Sequence, residues 1–259
     1  MEKEKFIEDI LKKYHTQSIT GVWNIIKKKD NPHSIKLKEV KEFLSTIEHI
    51  QIKANKKNKI VNSYVAHKPN QEFQIDLTFI KGMNYDGKFQ HYKKQKPFLI
   101  ALTCIDIFTK FVHIVIMKNK EAGTTLEALK ECISKMGRPE SIYADDGSEF
   151  KNKKIIDYCQ DNKIELLFNI SHAPVIERFH RTLKEKLVAY VEQSKSITLT
   201  PDLLFGKNGI ITQYNNVFIH NTIKMTPAEA KESKNVDQVH YNIEKKSKIT
   251  NRHKIYICK

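Results

Sequence analysis

The chain is poor in cysteine, and the cysteine it has is scattered. Cys104, Cys132, Cys159 and Cys258 include no CxxC pair. That argues against a disulfide framework and fits the reduced, mostly buried thiols of an intracellular protein. Long apolar runs are missing too. The longest uncharged one, Pro97–Ile105, falls far short of the ~20 residues that span a bilayer, so no membrane partner is expected. The first ten residues, MEKEKFIEDI, are charged and lack the apolar stretch of a signal peptide. There is one tryptophan, and no internal repeat or low-complexity tract beyond a bias to lysine. Acid is scarce relative to base: 30 Asp and Glu face 45 Lys and Arg, a formal net charge of +15.

The remainder is ample for folding. With 259 residues, 40% hydrophobic, the chain can build one sizeable core and one or two small modules. Its charge is uneven. Residues 1–70 carry +7 (15 basic, 8 acidic), 71–237 only +3 (24 and 21), and 238–259 another +5 (6 and 1). A balanced middle with basic ends is the pattern of a core held on a polyanion by basic arms. Charge alone does not separate DNA, RNA and anionic membrane.

Residues 1–50 read as a small helical module. Phe6, Ile7, Ile10 and Leu11 recur at helical spacing, as do Val22, Ile25 and Ile26, and then Leu37, Val40, Leu44 and Ile47. Trp23 is expected to plug this core, Asn31-Pro32 to break the chain, and Ser34 to cap the third helix. Such a module suits a helix-turn-helix or a plain packing bundle. Residues 51–69 read as a basic linker: His49 to Pro69 holds five lysines and no acid. Lys56 and Lys57 are the candidate DNA contacts within it. Residues 70–235 change pattern: three strands with a polar hairpin turning at Asp86-Gly87, then alternating helix and strand, then helices. This describes an α/β layer with a mixed sheet flanked by helices. Residues 236–259 read as a basic tail, the start of a shortened C-terminal module.

Three carboxylates do not suit a plain core. Asp76 sits in FQIDLTFI, where a lone charge costs several kcal/mol unless paired or bound to metal. Asp145 ends the short strand of IYADDGSEF, at the carboxyl end where α/β folds place their sites. Glu177 falls in the first turns of a helix opened by Pro174 in HAPVIERFHRTLKEKL. Arg181 and Lys184 follow on its face at i+4 and i+7. Two strand Asp and a helix Glu can hold two Mg²⁺ (or Mn²⁺) ions about 3.5–4 Å apart, an all-oxygen set suited to hard cations.

Together with LIALTCIDIFTKFVHIVIM, YADDGSEF, VIERFHRTLK and NNVFIHNTIKMTPAEA, these segments resemble the retroviral-integrase superfamily, and within it the integrases of Maverick/Polinton-type transposons and virophages. The resemblance covers about residues 70–232. It implies an RNase-H-like fold, a catalytic and metal-binding triad of Asp76, Asp145 and Glu177, and His180, Arg181 and Lys184 against the terminal DNA. It also implies Thr78 beside the metal site and a structural Asp106. The function implied is 3′-end processing and strand transfer of element DNA into target DNA, by a homo-oligomer (dimer or tetramer) on DNA, in the nucleus of a eukaryotic host. A nuclease that cuts without joining and a domesticated DNA-binding protein are the alternatives. The chain departs from the pattern in four ways. Only 31 residues separate Asp145 from Glu177, fewer than in the familiar retroviral spacing, and Asp146 stands where the family has Asn. The His and Cys pairs of the N-terminal zinc module are missing, so no zinc is expected in residues 1–70. The chain also ends at Lys259, where relatives often continue into a further module, so a fragment or a shortened form is expected.

Overall fold

In the computed structural model, residues 2–16, 18–29, 31–47, 66–81, 83–85, 98–169 and 173–250 are described. Most of the linker with Lys56 and Lys57, the Asp86-Gly87 turn and Cys258 lie outside them.

Three helices open the chain: α1 (Glu2–Tyr14), α2 (Ile19–Lys28) and α3 (Leu37–Ser45). Ile7, Ile10 and Leu11, then Val22, Ile25 and Ile26, then Val40 and Leu44 close one small core, as their helical spacing requires. Two expectations fail here. Trp23 lies only partly buried against that core, with the Lys27 ammonium 5.3 Å from its ring centroid; the filling is aliphatic. Ser34 does not cap α3. It takes a left-handed backbone (φ 49), and Lys36 is the N-cap, its N–H donating to Glu39 Oε2 at 2.6 Å. The cause is Asn31, whose side chain bonds both the N–H and the C=O of Ile35, at 2.7 and 2.8 Å. That ring carries the loop past Ser34 before a helix can start.

The larger unit runs β1 (Glu72–Lys81), β2 (Asn84–Tyr85), β3 (Phe98–Asp106), β4 (Val112–Met117), α4 (Ala122–Met136), β5 (Ser141–Asp145), α5 (Lys153–Asp161), β6 (Glu165–Asn169) and α6 (Pro174–Ser194). Five strands form one mixed sheet in the order β4-β3-β1-β5-β6. The first three are antiparallel and the last three parallel. β3 reads FLIALTCID, nearly all apolar, as a strand covered on both faces must be. On one face α4 and α5 pack Ala128, Leu129, Cys132 and Ile155 against Phe73, Ile75 and Leu77. On the other, α6 brings Ile176, Phe179, Leu183 and Leu187 onto Ile80, Ala101, Ile105 and Ile114. Successive strand residues alternate between these layers, so Gln74, Asp76 and Thr78 share the α6 side.

Beyond α6 come β7 (Thr198–Leu199, paired with β2), α7 (Pro201–Phe205), α8 (Ile210–Asn216), α9 (Pro227–Ala230), a 3-10 turn (Ser233–Asn235) and α10 (Val236–Thr250). The stretch read as a basic tail thus begins as a helix, with Val239 buried beside Phe108, Ile223 and Ala230. No helix among the described residues is long and apolar enough to cross a membrane.

The helical module rests on this unit through a polar seam. A helix leaves its last carbonyls without partners, and at the end of α1 the larger unit supplies them. Gln193 Nε2 donates to Leu11 O at 3.2 Å, Gln213 Nε2 to Lys13 O at 2.9 Å, and Lys186 Nζ to Tyr14 O at 3.3 Å. Phe218 and Val217 add apolar contact to the module's core. Lys186 is buried, with its ammonium 3.6 Å from the Phe218 ring centroid.

Candidate active site

Parallel pairing of β1 with β5 matches Glu72 to Ser141, Phe73 to Ile142 and Gln74 to Tyr143. Continued at the same offset, the register brings Asp76 level with Asp145, two residues beyond the last bonded pair. Asp76 therefore stands where the two central strands part, and Asp145 at the carboxyl end of β5. Glu177 is exposed in the first turn of α6. That turn is tied to β1 by Gln74, buried two residues before Asp76, whose Oε1 accepts the Ile176 N–H at 3.1 Å. Gln74 is a residue that sequence reasoning missed, although a buried polar side chain on the strand face of Asp76 was there to be read.

Asp76 Oδ1 accepts the Leu77 N–H at 2.7 Å. Burial first, and then the charge of Asp145, push the Asp76 carboxyl up to about 6; Leu77 opposes the shift, and Glu177 and Glu149 add to it. Asp76, Asp145, Glu177 and Glu149 thus share one electrostatic neighbourhood. Glu149 was not anticipated. It reaches back over Gly147, where a Cβ would meet its carboxylate at 2.8 Å and Asp145 Oδ1 at 3.0 Å, so a side chain at 147 would collide with both acids. Asp145 Oδ1 also accepts the Gly147 N–H, at 3.3 Å. Its neighbour Asp146 turns elsewhere and pairs with Lys151, which lies 5.4 Å from the Phe168 ring centroid.

Among the described residues, no group of three or more His, Cys, Asp or Glu could hold a metal ion as the side chains stand. The donor chemistry nevertheless fits a hard divalent cation: all the gathered ligand atoms are carboxylate oxygens. Burial and like charge penalise the ionised form of Asp76, a penalty that a cation would reverse.

His180, which the resemblance sets against the terminal DNA, lies on the inner side of α6. It follows Glu177 by three positions on α6 and is buried, its Nδ1 3.5 Å from Asp76 Oδ2. Nε2 is enclosed without a hydrogen-bond partner. Burial, helped by Lys184, pulls the ring down to about 4. Arg181 and Lys184 are exposed on the outer side of α6. Thr78 is buried on the Asp76 side of β1, its hydroxyl without a partner. Asp106 is buried and accepts from Asn70 N, Phe108 N and the Thr109 hydroxyl, the pattern of a carboxylate that organises a loop.

The fold and part of the sequence have counterparts among known proteins. Residues 66–174 match the Integrase core domain family. That integrase-core segment contains Asp76 and Asp145, and Glu177 follows three residues after it. A transposon-derived protein of Caenorhabditis elegans is 31% identical over 128 residues, covering 48% of this chain and 45% of that protein. The Pol polyprotein of the Drosophila melanogaster transposon 412 is 35% identical over 101 residues (37% of this chain, 8% of the polyprotein). The Gag-Pro-Pol polyprotein of bovine leukemia virus is 26% identical over 164 residues (61% and 10%). The chain therefore spans less than half the length of these relatives. Among solved structures, the integrase catalytic core domain of HTLV-2 in complex with magnesium, in a trimeric form, superposes with a TM-score of 0.51 at 22% identity, covering 64% of this chain and 98% of that one. A simian T-cell lymphotropic virus intasome structure gives 0.55 at 19% identity, over 80% and 70%. At such identities the likeness establishes the fold, an RNase-H-like mixed sheet flanked by helices.

Proposed function

We propose that this chain is a DNA integrase or transposase that uses divalent metal to trim the 3′ ends of element DNA and join them to target DNA. The observation that carries this reading is the level placement of Asp76 and Asp145 on parallel strands, with Glu177 tied to the same strand through Gln74. Asp76, Asp145 and Glu177 would hold two Mg²⁺ or Mn²⁺ ions. Such ions activate an attacking hydroxyl and neutralise the charge on a leaving oxygen. The protein's own task is placement. Gln74 fixes the first turn of α6, Gly147 leaves room for Asp145, and the Leu77 N–H holds one Asp76 oxygen. Arg181 and Lys184, one and two turns beyond Glu177, face solvent and would take phosphates of the element end. Lys56 and Lys57 would add contacts from the linker. The attack is in line at phosphorus, first by water and then by the new 3′-hydroxyl.

Joining two ends to one target takes more than one active site, so the working form is a homo-oligomer on DNA. Solved relatives described as dimeric and trimeric forms and as an intasome support that. The Maverick/Polinton and virophage kinship rests on the motif string alone, and the eukaryotic nucleus follows from it. The reading places no zinc in the N-terminal module, whose residues 1–70 hold no cysteine.

The test joins labelled element ends to plasmid DNA with Mg²⁺ or Mn²⁺. Strand-transfer products from the wild type, lost in Asp76→Asn, Asp145→Asn and Glu177→Gln, are expected. Cutting without joining would reduce the reading to a nuclease. Metal-independent DNA binding with neither product would reduce it to a DNA-binding protein.

A further inference from the structure

We propose that His180 is a positioning residue for Asp76: its ring, enclosed behind α6, points Nδ1–H at Asp76 Oδ2 and fixes how that carboxylate is presented. This rests on the reading of Asp76 as a metal-holding carboxylate. Its geometry is independent of that reading. Asp76 is approached at both oxygens: Oδ1 accepts the Leu77 N–H at 2.7 Å, and His180 Nδ1 lies 3.5 Å from Oδ2. Each oxygen keeps a further lone pair for another partner.

The proton's place on the ring follows from what surrounds its two nitrogens. Nε2 is buried with no hydrogen-bond partner. A proton there would be a buried donor without an acceptor, which costs the full desolvation of that group. A bare Nδ1 would also aim a lone pair at a carboxylate oxygen. One proton on Nδ1 removes both penalties and leaves only an unused acceptor inside. His180 cannot turn to a DNA phosphate without leaving this pocket, beside Phe179 (ring centroids 6.3 Å apart). Arg181, the next residue, is exposed. Adjacent positions on α6 thus divide the work, one toward the carboxylate and one toward solvent.

Two measurements on the full-length protein test this. Nitrogen-15 spectra of the histidine rings should show His180 as the Nδ1–H tautomer, with signals that shift selectively in Asp76→Asn. The Nε2–H tautomer, or a ring blind to Asp76→Asn, overturns the proposal. Calorimetric titration with Mn²⁺ should find affinity lowered about 10- to 100-fold in His180→Leu, the usual cost of losing a ligand's supporting partner. His180→Asn, which keeps a donor, should recover part of it. If His180→Leu binds Mn²⁺ like the wild type while Asp76→Asn does not, the positioning role is wrong and the carboxylate reading survives. If Asp76→Asn also binds normally, the carboxylate reading itself fails. The tautomer measurement uses the unaltered protein, so a variant that does not fold leaves the question decidable.

Discussion

A carboxylate set into an apolar strand carries a penalty whose pH dependence can be worked out. The folded protein raises Asp76 from its ordinary value to about 6. A raised acid binds its proton more tightly folded than unfolded. Stability is therefore lost as pH rises from about 4 to 6, and the loss is complete above that. Asp76→Asn should make the metal-free protein more stable at pH 7.5, by roughly 1–3 kcal/mol, with little change near pH 3.5. Conversely, Mg²⁺ should raise the melting temperature of the wild type and leave the variant's unchanged. Thermal melts at the two pH values decide it; equal gains at both would mean that Asp76 carries no burial penalty. A second test separates the neighbours. Asp146 pairs with Lys151, away from Asp145 and Glu149, so Asp146→Asn should retain strand transfer while Asp145→Asn has none under any metal. An essential Asp146 beside a dispensable Asp145 would put the strand out of phase. Asp76 was legible in the sequence because it is the one charged residue in FQIDLTFI, a segment otherwise suited to a buried strand. Glu149 and the placement of His180 beside Asp76 were not, since one depends on a loop folding back over a glycine and the other on the rotation of α6.

At the scale of elements, periodicity told most where an element has one wet face and least where it is enclosed. The apolar strands β1, β3 and β4 and the long α6 announce themselves. The buried side of α6 does not, because it includes His180 and Lys186 among its apolar residues. Lys186 looks like any surface lysine in KEKL, yet burial pulls it down to about 7, with Glu185 opposing. The Tyr14 carbonyl and the Phe218 ring also favour the ammonium. A base depressed in the folded state costs most when both states are charged, below about 7. The cost fades as pH climbs toward the ordinary lysine value. Lys186→Met should therefore gain stability over the wild type at pH 6, on the order of 1 kcal/mol, and lose that advantage by pH 9 to 10. Urea midpoints at the two pH values measure this. An advantage that grows with pH would show that the ammonium is stabilised where it sits.

For the whole molecule, the sequence displays a helical module, a basic linker and a catalytic layer as though strung in a row. It hides how the first meets the third, because Lys186, Gln193 and Gln213 are ordinary polar residues until the carbonyls they serve are known. Those carbonyls belong to the last turn of α1, and Phe218 and Val217 pack on the same module. A core cut free of residues 1–70 would expose two apolar side chains and leave Lys186 and Gln213, both buried, without those acceptors. Removing the module should thus do more than weaken DNA binding. The fragment should melt lower than the full chain by about 5 °C or more, the shift expected from the loss of ~2 kcal/mol in a domain of this size, and should associate through the uncovered patch. Phe218→Ser in the fragment should reduce that association without restoring the melting temperature, because it removes apolar surface but returns no acceptor to Lys186. A fragment that melts with the full chain and stays monomeric would show that the seam contributes nothing, and that the module hangs from its linker as the sequence suggests.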